Sequence, residues 1–202
     1  LPGYPVIFRL SVDDFFPTGL PFEEGFVVAK WAVAAGADAI HVSAGHYRSL
    51  PTAHRMIPPM EYPEGVFLDY AARVKREVAV PIIAVGRLGN PAIAMAAVDT
   101  GKADFVALGR ALIADPEWVN KAQRNVPVRR CLSCNKCIDE MRGGDSLTCL
   151  VNPAAGRELE FAAGTIARKG ERIVVIGAGP AGLSYASLVA QGNHVTVFEI
   201  ER

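Results

Sequence analysis

The chain has 202 residues, half of them hydrophobic, with 21 Lys plus Arg against 21 Asp plus Glu. That composition belongs to a packed globular protein of one large or two small domains and excludes a disordered segment. The charge balance provides no global field for nucleic acid or an anionic membrane, and no apolar stretch approaches the roughly 20 residues of a membrane span. A small-molecule partner and a cytoplasmic location are the expectations. The opening "LPGYPVIFRL" carries no initiator Met and no signal-peptide pattern, so a fragment of a longer polypeptide is expected.

In chain order, short β-rich runs alternate with amphipathic helical stretches. "PVIFRLSV" is followed by a helix over about 22–35, then "ADAIHVS", a helix around 66–78, "VPIIAVG", a helix near 91–100, and "ADFVALG". Continuous β-branched runs predict parallel strands buried on both faces, and the helices between them predict right-handed crossovers. Four such units make half of a (β/α)₈ barrel or part of an open doubly wound sheet, and periodicity does not separate the two. After "GRALIADPEW" and "NVPVRR" the periodicity stops until about residue 170. A new βαβ unit then begins, with a strand at 172–176, a helix from about 180 to 190 and a strand at 194–199. Its two strands leave a sheet edge, which again predicts a chain that continues.

The non-periodic stretch contains all four cysteines, Cys131, Cys134, Cys137 and Cys149, in the spacing C-x2-C-x2-C-x11-C. Four thiolates at one place hold zinc or an iron–sulfur cluster. Structural zinc usually uses two separate C-x-x-C knuckles, whereas three close cysteines and one remote cysteine suit a [4Fe–4S] cubane. Disulfides fit a small secreted scaffold better than this α/β pattern.

"GAGPAG" places Gly177, Gly179 and Gly182 between a strand and a helix, with Glu199 ending the next strand. Glycines there permit a tight turn and close backbone approach to a pyrophosphate, and the acid accepts ribose hydroxyls. The motif reads as dinucleotide-binding without separating FAD from a nicotinamide nucleotide. Two Gly-Arg pairs, Gly86–Arg87 and Gly109–Arg110, stand at successive strand ends, where backbone amides and a guanidinium bind phosphate; a surface ion pair is the plainer alternative. Arg9 lies inside an apolar strand and needs a partner there, either a cofactor or Asp13 or Asp14. His46 follows the second strand into the loop face where barrel enzymes do chemistry, although a lone loop histidine is more often idle. His41, His54 and His194 suggest no role.

In their order these motifs resemble the old yellow enzyme-related flavoproteins that carry an iron–sulfur cluster, the bacterial 2,4-dienoyl-CoA reductase and trimethylamine dehydrogenase family. The resemblance covers essentially the whole chain and includes "CLVNP", Cys149 to Pro153. It implies that residues 1–125 form the second half of an FMN-binding TIM barrel. Residues 126–170 would then be the [4Fe–4S] segment and linker, and 171–202 the start of a Rossmann-like FAD domain. Arg9, Gly86, Arg87, Gly109 and Arg110 would contact FMN, and His46, in "GHYRSLPT", would orient substrate or assist proton delivery. The implied activity passes electrons from NAD(P)H through FAD and [4Fe–4S] to FMN and then to an activated C=C bond of an enone or enoyl thioester. A homo-oligomer is compatible with that reading. The reductases have one more residue between the second and third cysteines, so the spacing here is nearer the amine dehydrogenase, whose electron flow runs the other way. A zinc-stabilised nucleotide-binding module without catalysis is the alternative of another class.

Overall fold

In the computed structural model, residues 3–48, 50–162 and 169–201 are described. Leu1, Pro2, Ser49, residues 163–168 of the expected linker, and Arg202 lie outside the described residues. The chain divides into two units, Leu1–Gly156 and Arg157–Arg202.

The first unit realises the βα alternation. Strands β1 (Ile7–Ser11), β2 (Ala39–Ser43), β3 (Ile82–Ala84) and β4 (Phe105–Val106) form one parallel sheet in the order β1-β2-β3-β4. Sheet order follows chain order, without the reversal that marks a doubly wound sheet. Helices α1 (Phe22–Ala34), α2 (Leu68–Glu77) and α3 (Pro91–Asp99) make the crossovers. α3 begins where the sequence specifies a start: Pro91 occupies its first turn, and the Asn90 side chain accepts from Ala92 N–H at 3.2 Å. Short helices α4 (Arg110–Ala114), α5 (Trp118–Gln123) and α6 (Lys136–Gly143) follow, and Trp118 Nε1 donates to Gly89 O at 2.8 Å.

Two strand entries use one device. Asp38, just before β2, accepts from Val6 N–H at 2.7 Å, and Asp104, just before β4, accepts from Ile82 N–H at 2.8 Å. Each carboxylate satisfies a backbone donor where the neighbouring strand begins, which pins the register at that end.

Registration puts Leu10, Val42 and Ala84 in one row, and with Ile40 and Ile82 they form the buried face beneath the helices. Ile40, Ile82, Val12, Val42 and Val74 are the largest fully buried side chains, each contributing roughly 1.5–3 kcal/mol by removal from water. The other row, Arg9–His41–Ile83–Phe105, faces away from the helices. Ile7 and Phe105 on that side are 59% and 58% exposed, so the expectation of strands buried on both faces is met on one face only. A parallel strand loses solvent from a face only where another layer covers it, and the helices cover one.

The stretch from the cysteines to Gly156 belongs to the first unit. It is tied in by Asn152, 4% exposed, whose Nδ2 donates to Ile113 O at 2.8 Å. The second unit comprises α7 (Glu158–Ala162) and a parallel βαβ pair, β5 (Arg172–Ile176) and β6 (His194–Phe198), joined through α8 (Pro180–Val189).

Candidate functional site

The C-terminal ends of β3 and β4 turn sharply. After β3, Gly86 has φ +115° and Arg87 φ +52°, so the backbone enters the left-handed region at two consecutive residues. Glycine bears this without cost, whereas for arginine it is uncommon and requires support from its surroundings. A Cβ on Gly86 would lie 2.6 Å from Phe67 Cδ2, which fixes glycine there sterically as well. After β4, Gly109 precedes α4, and a Cβ there would meet nothing within 4 Å, leaving its backbone open to close approach.

These turns and β1 border a cleft of about 270 Å³, lined by Arg9, Gly86, Arg87, Gly109 and Arg110 among others. The five residues singled out from sequence as flavin contacts therefore meet at one place. Neither aspartate offered as a partner for Arg9 takes it. Asp13 accepts from Phe15 N–H at 2.8 Å and Tyr70 Oη–H at 2.6 Å, and Asp14 accepts from Leu20 N–H at 2.8 Å. Tyr70 holds its proton well above the usual phenol range, through burial first and then the Asp13 carboxylate. His41, beside Arg9 in the sheet, is pushed down from the ordinary histidine value, by burial first and then by the Arg9 charge. Its Nε2 is buried without a hydrogen-bond partner among the described residues.

Against the cleft stands the cysteine segment. Cys131, Cys134 and Cys149 lie in loops and Cys137 on α6, and all four are free thiols. They line one small cavity together with Arg110 and Ile113. Among the described residues no group of three or more His, Cys, Asp or Glu side chains is arranged to hold a metal ion. The Cys137 thiol is pushed up, by burial first and then by Cys131.

The sequence signal overlooked in "CLSCNKC" is the pair of polar residues between the cysteines. Ser133 and Asn135 both adopt left-handed backbone, φ +56° and +61°, folding the loop back on itself. Arg87 Nε donates to Ser133 Oγ at 3.2 Å, and Arg87 Nη1 to Met60 O at 3.3 Å. Arg110 donates to Asn135 Oδ1 and, at 2.9 Å, to Pro58 O; Asn135 Nδ2 donates to Ile57 O at 2.8 Å. Arg130 pairs with Glu64. Both strand-end arginines thus grip the cysteine loop and the 57–64 strap.

The structure places His46 elsewhere, in an open groove with Asp14, Phe16 and Arg48 that does not include the arginine cleft. Its Nδ1 accepts from Arg48 N–H at 2.9 Å, so the proton of the neutral ring sits on Nε2, which faces Asp14 Oδ2 at 3.6 Å. The Phe16 ring stands edge-on at 4.9 Å.

In the second unit Gly177 has φ +98° and its N–H donates to Phe198 O at 2.7 Å. A Cβ on Gly182 would lie 1.9 Å from Gly177 O, whereas one on Gly179 would meet nothing within 4 Å. The last glycine therefore seats the helix against the loop, and the middle one leaves an open approach at the start of α8. Glu199 Oε2 accepts from Ala178 N–H at 2.6 Å, tying the end of β6 to the glycine loop and holding the carboxyl below its ordinary value.

Comparison with known proteins gives the family. Residues 3–129 match the family described as NADH:flavin oxidoreductase / NADH oxidase. The chain is 41% identical over 202 residues to an NADH oxidase of Thermoanaerobacter brockii, covering 96% of the chain and 30% of that protein. It is 37% identical over 214 residues to a cinnamate reductase of Clostridium sporogenes, covering 97% and 32%. A solved complex of 2-naphthoyl-CoA reductase with 2-naphthoyl-CoA superposes with a TM-score of 0.84 at 29% identity, covering 96% of this chain and 30% of that one. The chain thus spans about a third or less of the length of these relatives.

Proposed function

The chain belongs to the NADH:flavin oxidoreductase / NADH oxidase family, and from that premise we propose that it is the part of an NAD(P)H-dependent ene reductase that joins an FMN site to a [4Fe–4S] site. The observation that carries this reading is the shared wall. Arg110, Ile113 and Cys131 line both the arginine cleft and the thiol cavity, so groups bound in the two would be neighbours.

The residues fit the groups. The cleft offers Arg9, Arg87 and Arg110 and two glycine turns, which suits a phosphate-bearing anionic cofactor such as FMN. Four free thiols border one shared cavity, and three close cysteines with one remote suit a [4Fe–4S] cluster better than the paired knuckles usual for zinc. In the second unit Gly177, Gly179, Gly182 and Glu199 would hold a dinucleotide, FAD by resemblance. The unbroken strand order supports a wall of a (β/α)₈ barrel over residues 1–125. When bound, these groups would supply an electron path from NAD(P)H through FAD and the cluster to FMN, and from there to an activated C=C bond.

The chain's own contributions are positional. Arg9 presents a positive charge from β1 into the cleft. The arginine clamps hold the cysteine loop at the cleft's edge. His46, with Nδ1 engaged by backbone, keeps its proton on Nε2 facing Asp14, and would turn from that carboxylate to donate toward a substrate oxygen. An enone or enoyl thioester fits the relatives named as cinnamate and naphthoyl-CoA reductases.

The test is metal and flavin analysis of the natural polypeptide that carries these residues, purified without oxygen. About four iron and four sulfide per chain with FMN and FAD is the expected result. Zinc without flavin would overturn the reading in favour of a structural module.

A further inference from the structure

Arg110, expected at a phosphate, stands half-buried in the wall common to the cleft and the thiol cavity, and its fork also engages neutral acceptors. It donates to the Asn135 side chain and to the Pro58 carbonyl. Among the described residues no carboxylate forms an ion pair with it. A half-buried guanidinium held in a fixed orientation by neutral acceptors acts on any anionic group on either side of the wall it stands in. Of the described residues that line the thiol cavity with the four cysteines, Arg110 alone carries a charge. Arg87, its counterpart one strand earlier, lines the cleft and not the thiol cavity.

We infer that Arg110 is the fixed counter-charge of the cysteine-held centre and raises that centre's reduction potential. The inference rests on the reading of Cys131, Cys134, Cys137 and Cys149 as ligands of a redox cluster. One-electron reduction adds a negative charge to a group that four thiolates already make anionic. A cation held beside it stabilises the reduced form more than the oxidised one. Burial makes the effect larger than at a surface, because less water screens it. The Asn135 and Pro58 acceptors hold the guanidinium in the wall between the cleft and the cavity. Arg110 is a positioning and electrostatic residue in this role.

The experiment is an EPR-monitored redox titration of the natural polypeptide containing this chain, wild type against Arg110→Gln, Arg110→Lys and Arg87→Gln, with iron, sulfide and FMN counted in each. Wild-type protein without iron and sulfide would defeat the underlying cluster reading, separately from this inference. With iron present, Arg110→Gln is expected to lower the reduced-to-oxidised ratio at fixed ambient potential at least threefold, roughly 30 mV by the 59 mV-per-decade relation for one electron. Arg110→Lys should stay within half that shift, and Arg87→Gln, which loosens the cysteine loop but leaves the charge in the cavity wall, should shift less than Arg110→Gln. An Arg110→Gln protein that loads its cluster at the wild-type potential overturns the inference, and if it has also lost FMN, Arg110 is a phosphate ligand only. Should Arg110→Gln fail to load a cluster, Arg110→Lys decides. Loading at the wild-type potential supports a role for the charge, and failure or a shifted potential assigns Arg110 to hydrogen bonding alone.

Discussion

Arg87 Nε and Ser133 Oγ, 46 positions apart in sequence, meet at 3.2 Å between two residues that both hold left-handed backbone. Left-handed φ costs a non-glycine residue on the order of 1–3 kcal/mol and persists where the surroundings over-determine it. Here each strained residue is held by the other. The β3 turn presents a guanidinium and the cysteine loop presents a hydroxyl, so the geometry of the thiol cavity depends on the strand end.

Arg87→Met is therefore expected to loosen the cysteine loop without unfolding the sheet. Loss of a charged hydrogen bond costs about 1.5–3 kcal/mol, which corresponds to roughly 10- to 100-fold faster amide exchange over residues 131–137. Exchange in β2 and β3 should stay unchanged. Uniform acceleration across both regions would show that Arg87 supports the whole unit and not the loop.

The pH response of the sheet should carry the signature of His41. Burial, then Arg9, lowers its pKa below the ordinary 6.5, so the folded chain binds fewer protons than the unfolded chain just below that value. Stability is full above about pH 6.5 and is lost as pH falls from there toward the folded pKa. His41→Leu removes the titration and an unpaired buried Nε2 together. Urea midpoints of the variant should vary less between pH 7 and pH 5 than those of wild type. An identical slope in both proteins would mean that another group titrates there.

Ile82→Ala and Ile83→Ala should separate the two faces of β3. Ile82 is fully buried under the helices, and truncating such a side chain costs about 2–5 kcal/mol. Ile83 shares the opposite row with Arg9, His41 and Phe105 and should cost less in a thermal melt. Equal losses would mean that the second face is covered as fully as the first.

That pair also marks how far the sequence could be read. The βα alternation, and helix starts such as Asn90–Pro91, are local signals, so the four strands and three crossover helices fall where the pattern puts them. The Gly-Arg turns and the cysteine spacing are local signals of the same kind. What pattern cannot supply is pairing across tens of residues. Nothing in "GRLGN" points to Ser133, and nothing in "LGRAL" points to Asn135 or Pro58. His46 stood out by its loop position, but its groove with Asp14 and Phe16 depends on how the β1–α1 loop folds. Covering of the second sheet face is likewise non-local: β-branched runs report that a strand is compatible with burial, not which face is covered.

The glycine loop of the second unit allows the sharpest contrast between folding and binding. A Cβ on Gly182 would stand 1.9 Å from Gly177 O, so Gly182→Ala must push α8 off β5. Overpacking of this kind costs typically 1–3 kcal/mol. Gly179→Ala adds a methyl that meets nothing within 4 Å, at a backbone φ of −66° that alanine adopts freely, so the fold should tolerate it. The same methyl would stand where a pyrophosphate must approach the start of the helix. The expectation is that Gly182→Ala lowers the melting temperature, whereas Gly179→Ala retains it and loses FAD. Flavin analysis and thermal melts on the two variants read both effects. Full FAD retention in a folded Gly179→Ala protein would remove the dinucleotide from this loop.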